Sequence, residues 1–303
     1  MTVRDLIILG TSSQQPTRRR NHGGYLLRWN EEGFLFDPGE GTQRQFIFAD
    51  VTPTTVTRMF VSHFHGDHCL GVGSMLMRLN LDKVTHPVHC FFPAAGQEYF
   101  HRLRHGTIYH QNIEIIEHPI RGEGVFYEDD KFTYEAYYLS HGTTCLAYRI
   151  KEKDERKFDK EKLARLGIRG MLMKELLLEG QIRHEGALIT LDHVSHIRTG
   201  DIFSIIMDTR PCPGAERAAK GATLLLCEST YLDVHKDLAY HHRHLTATEA
   251  ALIAKQAEAK KLVLTHFSAR YLDAGDFRKE AHPIFPNVHA AEDLDVIDFR
   301  KST

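Results

Sequence analysis

The chain has 303 residues, with 38 Lys and Arg against 40 Asp and Glu, and this formal charge of −2 excludes a globally basic nucleic-acid binder. Its 42% hydrophobic and 26% charged residues are those of an ordinary globular protein and exclude disordered or collagen-like chains. No apolar run approaches the roughly 20 residues that cross a bilayer, and no secretory signal opens the sequence, so the chain is expected to be soluble.

In chain order, short apolar runs predict strands at 6–9, 25–29, 34–37, 58–62, 88–92, 113–117, 132–139 and 145–150, and again at 203–208, 223–228, 261–266 and 295–299. Between them the pattern predicts helices over 41–49, 71–79, 94–104 and 246–260, the last opening on Thr246 and Glu249 as a capping box. Early strands follow one another closely and later ones alternate with helices, so the class is mixed α/β (α+β), with sheets covered by helices. No Pro/Gly/Ser-rich linker marks a cut, which predicts one domain over 1–303. Residues 151–200 break the rhythm with a dense charge run that reads as a solvated helix face within an inserted arm projecting from the core.

Cys69, Cys90, Cys145, Cys212 and Cys227 are odd in number and lack CxxC spacing, which argues against disulfides or a thiolate metal site and predicts a reducing cytoplasm. Histidine is the abundant ligand type, at 21 residues. His63, His65, Asp67 and His68 fall within six positions just after the apolar run at 58–62, a density that packing does not explain. His141, Asp208 and His266 each stand at or just past the end of an apolar run. Singly, each is an ordinary turn or surface residue. Jointly, carboxyl ends of strands are where sheet proteins gather their ligands. The set divides into His63, His65 and His141 for one metal and Asp67, His68 and His266 for a second, with Asp208 able to bridge. Imidazole and carboxylate donors without thiolate suit Zn²⁺, and would tolerate Mn²⁺ or Fe²⁺. A metal pair of this kind activates water and steadies a phosphoryl displacement.

With these residues in view, the sequence resembles the metallo-β-lactamase superfamily and, within it, the ribonuclease Z family of tRNA 3′ processing endonucleases. Pro16–Asn21 is similar to that family's PxKxRN loop, Asp37–Gln43 to its DxGEGTQ segment, Cys227–Thr230 to its HEAT motif, His244–Thr246 to its HST motif and His266–Tyr271 to its HFSxRY segment. The resemblance implies an αββα sandwich with an inserted arm, two Zn²⁺ per subunit, a homodimer, and cleavage of precursor tRNA after the discriminator nucleotide. It also implies Asp67 as general base, His244 and Glu228 as a catalytic pair, and Arg18, Arg20, Asn21, Thr246, Ser268 and Arg270 as substrate contacts. Two features depart from the family: Cys227 stands where its histidine is usual, and the stretch Gly167–Leu172 lacks the Gly-Pro motif of its arm. The segment 151–200 carries 11 Lys and Arg against 9 Asp and Glu, a weak basic excess for an RNA-gripping arm. Another binuclear zinc phosphodiesterase on this scaffold, or a non-catalytic RNA-binding protein with structural zinc, stay open as alternatives at this point.

Overall fold

Apolar runs with Phe at matching positions build the centre. The computed structural model describes residues 3–299. Strands Glu32–Phe36, Arg58–Phe60 and Val88–Pro93 run parallel in a register that sets Phe36 beside Phe60 and Phe60 beside Phe91. Their rings stack at 4.7 and 4.8 Å. Phe203, Tyr148 and Tyr134 from a second sheet face this ladder, with ring centroids 5.3 Å from Phe36, 5.2 Å from Phe60 and 6.0 Å from Phe91. Such aromatic contacts add to the area they bury, and here they fix the strand ends that lead into the segments bearing Asp37 and His63.

The described residues divide into two compact units. The larger takes the chain up to Glu128, Tyr134–Ile150, and everything from Ile202 onward. It holds two seven-stranded sheets, face to face across the aromatic layer. Helix Gly71–Leu81 covers the outer face of the first sheet, where Val72, Met75, Leu76 and Leu79 pack with Leu9, Leu26, Leu35 and Met59. Helices Pro213–Ala219 and Ala247–Gln256 cover the second, laying Ala215, Ala218, Ala247, Ala250 and Ala251 against Ile206, Leu225, Cys227 and Leu264. Small side chains let these helix axes approach the sheet closely. The architecture is therefore αββα, the expected metallo-β-lactamase sandwich.

In the second sheet, strands Ile202–Ile206, Leu224–Glu228 and Leu262–Thr265 are parallel, with Ile206 opposite Cys227 and Glu228 opposite Thr265. Asp208, Glu228 and His266 therefore emerge side by side at one edge. The alternation of a strand also explains Cys227: it points into the helix-facing apolar layer while Glu228 points the other way, so a thiol serves there as a small hydrophobe.

The smaller unit comprises Asp129–Thr133 and Lys151–Asp201 and has its own core of Ile168, Leu176, Ile182, Ile189 and Val194. The charge run is not one helical face. Glu155–Phe158 is a strand paired with Ser195–Arg198, and helix Lys160–Arg165 starts only after Asp159, whose carboxylate accepts the Lys162 N–H at 2.9 Å. Alternating exposure of Glu155 and Lys157 against half-buried Arg156 and Phe158 is period-two patterning that the charges obscure. Strands Gly124–Glu128 and Val288–Ala290, at the two edges of the second sheet, also lie outside the predicted set. Among the described residues, no helix is long and apolar enough to cross a membrane.

Candidate metal centre

The first sheet delivers the HxHxDH segment through a loop. The strand ends at Phe60, three residues before His63. His65 then caps the short helix Gly66–Cys69, which carries Asp67 and His68. His141 follows strand Phe132–Leu139, Asp208 follows Ile202–Ile206, and His266 follows Leu262–Thr265 in a left-handed conformation, φ +61°. The loops bring all seven groups together. His63, His65, His141 and Asp208 each offer a ligand atom within 4.8 Å of the others, and so do Asp67, His68 and His266.

Outer partners fix which way four of the five imidazoles face. Asp37 Oδ2 accepts from His68 Nδ1 at 2.8 Å, and the Arg243 carbonyl accepts from His141 Nδ1 at 3.2 Å. Ser62 Oγ gives its proton to Asp37 and so accepts from His63 Nδ1 at 3.0 Å; Thr230 Oγ1 gives its proton to Glu228 and accepts from His266 Nδ1 at 2.9 Å. Each ring's Nε2 is thereby left as a lone pair aimed inward. These lone pairs converge on one another: His68 Nε2 lies 3.1 Å from His266 Nε2, and His63 Nε2 lies 2.9 Å from His65 Nδ1. Asp208 completes the test of fit. Its buried Oδ1 has no hydrogen-bond partner although it lies 3.3 Å from both His68 and His266. Acceptors facing acceptors, with an orphaned carboxylate oxygen among them, is a donor set suited to cations.

Electrostatics agree. Burial, with the neighbouring imidazoles, pushes His63 well below its ordinary range, and burial also lowers His141, so both favour the neutral ligand form. Burial works against ionisation of Asp67, but His68 and His266 outweigh it and hold the carboxyl far below its usual range. Burial likewise opposes charge on Asp208, and His266, His68 and His244 overcome it. Against burial, Asp208 and Asp67 hold His68 well above its ordinary value: the carboxylates draw a positive charge into the cluster, and a cation can replace that proton.

Five of the seven groups, His65, Asp67, His141, Asp208 and His266, border a cleft of about 580 Å³ also lined by Tyr231, His242, His244 and Ser268, while His63 and His68 are buried beneath it. His244 Nδ1 lies 3.0 Å from Glu228 Oε1. Burial alone would lower the imidazole, but the Glu228 and Asp208 charges push it up to about 9. Glu228 is fully buried and every oxygen is used: Oε1 also accepts from Thr209 N at 2.8 Å, and Oε2 accepts from Thr230 Oγ1 at 2.6 Å.

The expected substrate contacts separate. Arg18 and Arg270 are exposed and Ser268 lines the cleft. Thr246 is fully buried, and its hydroxyl caps helix Ala247–Gln256 by accepting the Glu249 N–H at 3.2 Å. Asn21 and Arg20 are also tied to architecture. The Asn21 amide donates to the His22 and Glu40 carbonyls, and Arg20 donates to the Tyr271 carbonyl at 2.9 Å while lying over the Phe267 ring. Asp37 was missed as a site residue, although it ends the apolar run 34–37 just as Asp208 ends 203–208. It holds Ser62 through both backbone and hydroxyl, and it holds His68. Asp37→Asn keeps a residue tolerated at φ +43° but removes the charge, and it should weaken metal binding about 10- to 100-fold in chelator competition. Unchanged affinity would remove this role.

Comparison with known proteins follows the same lines. Residues 21–154 match the metallo-beta-lactamase superfamily. The chain is 61% identical to Ribonuclease Z of Protochlamydia amoebophila (strain UWE25) over 99% of its own length and 98% of the relative's. It is 56% identical to Ribonuclease Z of Chlamydia pneumoniae over 100% and 98%. Its fold is similar to the crystal structure of the short form of human tRNase Z, with a TM-score of 0.72 at 24% identity, covering 98% of this chain and all of that one.

Proposed function

The chain belongs to the ribonuclease Z family of the metallo-β-lactamase superfamily, and on that premise we propose that it is a metal-dependent endoribonuclease that matures the 3′ end of precursor tRNA. The cut falls after the discriminator nucleotide, leaving a tRNA 3′-OH and a trailer 5′-phosphate. The observation that supports this most is the juxtaposition of a seven-ligand cluster and a histidine–glutamate pair: His244 lines one cleft with five of the seven groups, and Glu228 holds its Nδ1 at 3.0 Å.

His63, His65 and His141 would hold one Zn²⁺ and Asp67, His68 and His266 a second, with Asp208 reaching both. Such a pair lowers the pKa of water toward neutrality and neutralises charge on a phosphoryl group in transfer. Asp67, held ionised at the cleft floor, orients the attacking water and accepts its proton. His244 donates a proton to the departing 3′ oxygen, and Glu228 keeps that imidazole charged and turned by holding Nδ1. Thr209, through its N–H, and Thr230, through its hydroxyl, in turn hold Glu228, so the donor sits on a satisfied buried network rather than on a loose loop.

The enzyme acts as a cytoplasmic homodimer in this reading, which the five free cysteines suit; sedimentation at the mass of two chains is the expected result. Arg18 supplies a phosphate contact. Arg18→Ala should weaken RNA binding and reduce the slope of log affinity against log salt by about 1. An unaltered slope would argue against contact.

The test of the function is incubation with one 3′-extended tRNA, mapping product ends before and after chelation. A single cut after the discriminator, abolished by chelator and restored by zinc, is expected. Cleavage of a small phosphodiester with the tRNA left intact would favour a different hydrolase.

A further inference from the structure

One residue fastens the loop that carries His244 to the loop that carries His141. Arg243 donates from Nη1 to the His141 carbonyl at 2.5 Å, and its own carbonyl accepts the His141 Nδ1–H at 3.2 Å. It ends helix Lys236–His242 in a left-handed conformation, φ +61°, uncommon for a residue with a side chain. Arg210 adds a second tie between the same two loops. Its backbone N–H donates to the Ser140 carbonyl at 3.1 Å, its Nε donates to the Tyr240 carbonyl at 2.7 Å, and its guanidinium lies 4.1 Å above the Tyr240 ring. Between the loops, the His141 and His244 rings stand 5.3 Å apart.

We propose that Arg243 is a positioning residue for the metal centre: its reciprocal bonds with His141 fix both the backbone from which the imidazole hangs and the direction of its lone pair. The inference rests on the reading of His63, His65 and His141 as ligands of one cation. With Nδ1–H spent on the Arg243 carbonyl, His141 presents Nε2 inward, 3.2 Å from His65 Nδ1 and 3.5 Å from Asp208 Oδ2. A ligand ring is only as well placed as its outer partners make it. His63 and His68 hang on the buried Asp37 and Ser62, and His266 on the buried Thr230. His141 alone among these four relies on a backbone carbonyl at an exposed turn, and the guanidinium closes that turn. Arg243 is itself exposed, so core packing gives no reason for this geometry.

Arg243→Gly tests this, because glycine accepts φ +61° without strain and loses only the side chain. Arg243→Asn, also tolerant of that conformation, guards against added flexibility. The zinc-loaded protein is titrated with a chromophoric chelator and bound metal is counted. Wild type should release two classes of zinc. Both variants should weaken one class about 10- to 100-fold and leave the other unmoved. Arg243→Lys should recover part of the loss, because an ammonium can still reach the His141 carbonyl. Equal affinities in wild type and both variants would overturn the assignment, and so would equal weakening of both classes, which signals general loosening. Wild-type protein that binds no zinc would instead sink the metal reading beneath it.

Discussion

Asp208→Ala is expected to lower turnover of 3′-extended tRNA by more than the roughly 100-fold that outer partners of metal ligands typically cost, and to release metal at the same time. The reason is geometric. Asp208 Oδ2 lies 3.6 Å from His63 Nε2 and 3.5 Å from His141 Nε2, and Oδ1 lies 3.3 Å from His68 Nε2 and His266 Nε2. It is the side chain whose two oxygens face the two ligand groups separately. Without it, the imidazoles converge with Asp67 as the one remaining carboxylate in either group, too little negative charge to hold two divalent ions close together. Direct metal analysis beside the kinetics checks this. Full zinc content with turnover within twofold of wild type would contradict a bridging role.

His244→Ala is expected to lower turnover about 10²- to 10⁴-fold while zinc content stays intact. The pairing of these readouts matters, because Asp208, His244 and His266 also bring ligand atoms within 4.8 Å of one another, and His244 as a ligand would predict loss of metal. The hydrogen bonds favour the donor role. Nδ1 is engaged by Glu228 at 3.0 Å, and Glu228 is held in turn by Thr209 and Thr230, an arrangement that steadies a charged imidazole. A substrate with sulfur in place of the departing 3′ oxygen needs no proton to leave and should regain most of the lost rate. Glu228→Gln, which keeps the shape but not the charge, should fall between wild type and His244→Ala. Failure of the sulfur substrate to rescue His244→Ala would remove the acid role.

The clustering of these side chains was legible in the sequence because most of them obey one rule: His63, His141, Asp208 and His266 each follow an apolar run that ends on the same side of its sheet. Asp37 obeys the same rule, yet a carboxylate before Pro38 and Gly39 reads equally well as a turn former, and only its bonds to Ser62 and His68 separate the two. Thr230 and Arg243 carry no such signal, since what they do depends on which loop lies opposite them. Thr246 shows what spacing alone can deliver: the Thr246–Glu249 spacing marks a helix cap, and the capping box is formed as expected. In the smaller unit, charge masked a two-residue period, and pairing with Ser195–Arg198 made a strand where local composition suggested a helix. The departure at Cys227 loses its weight once the side chain is seen to face the helices.

The central claim, that seven side chains hold two cations sharing Asp208, is tested most directly by anomalous scattering from crystals of the zinc-loaded protein. The account predicts two peaks, one bounded by His63, His65 and His141 and the other by Asp67, His68 and His266, with Asp208 contacting both. A single peak, or zinc bound away from these residues, would contradict it.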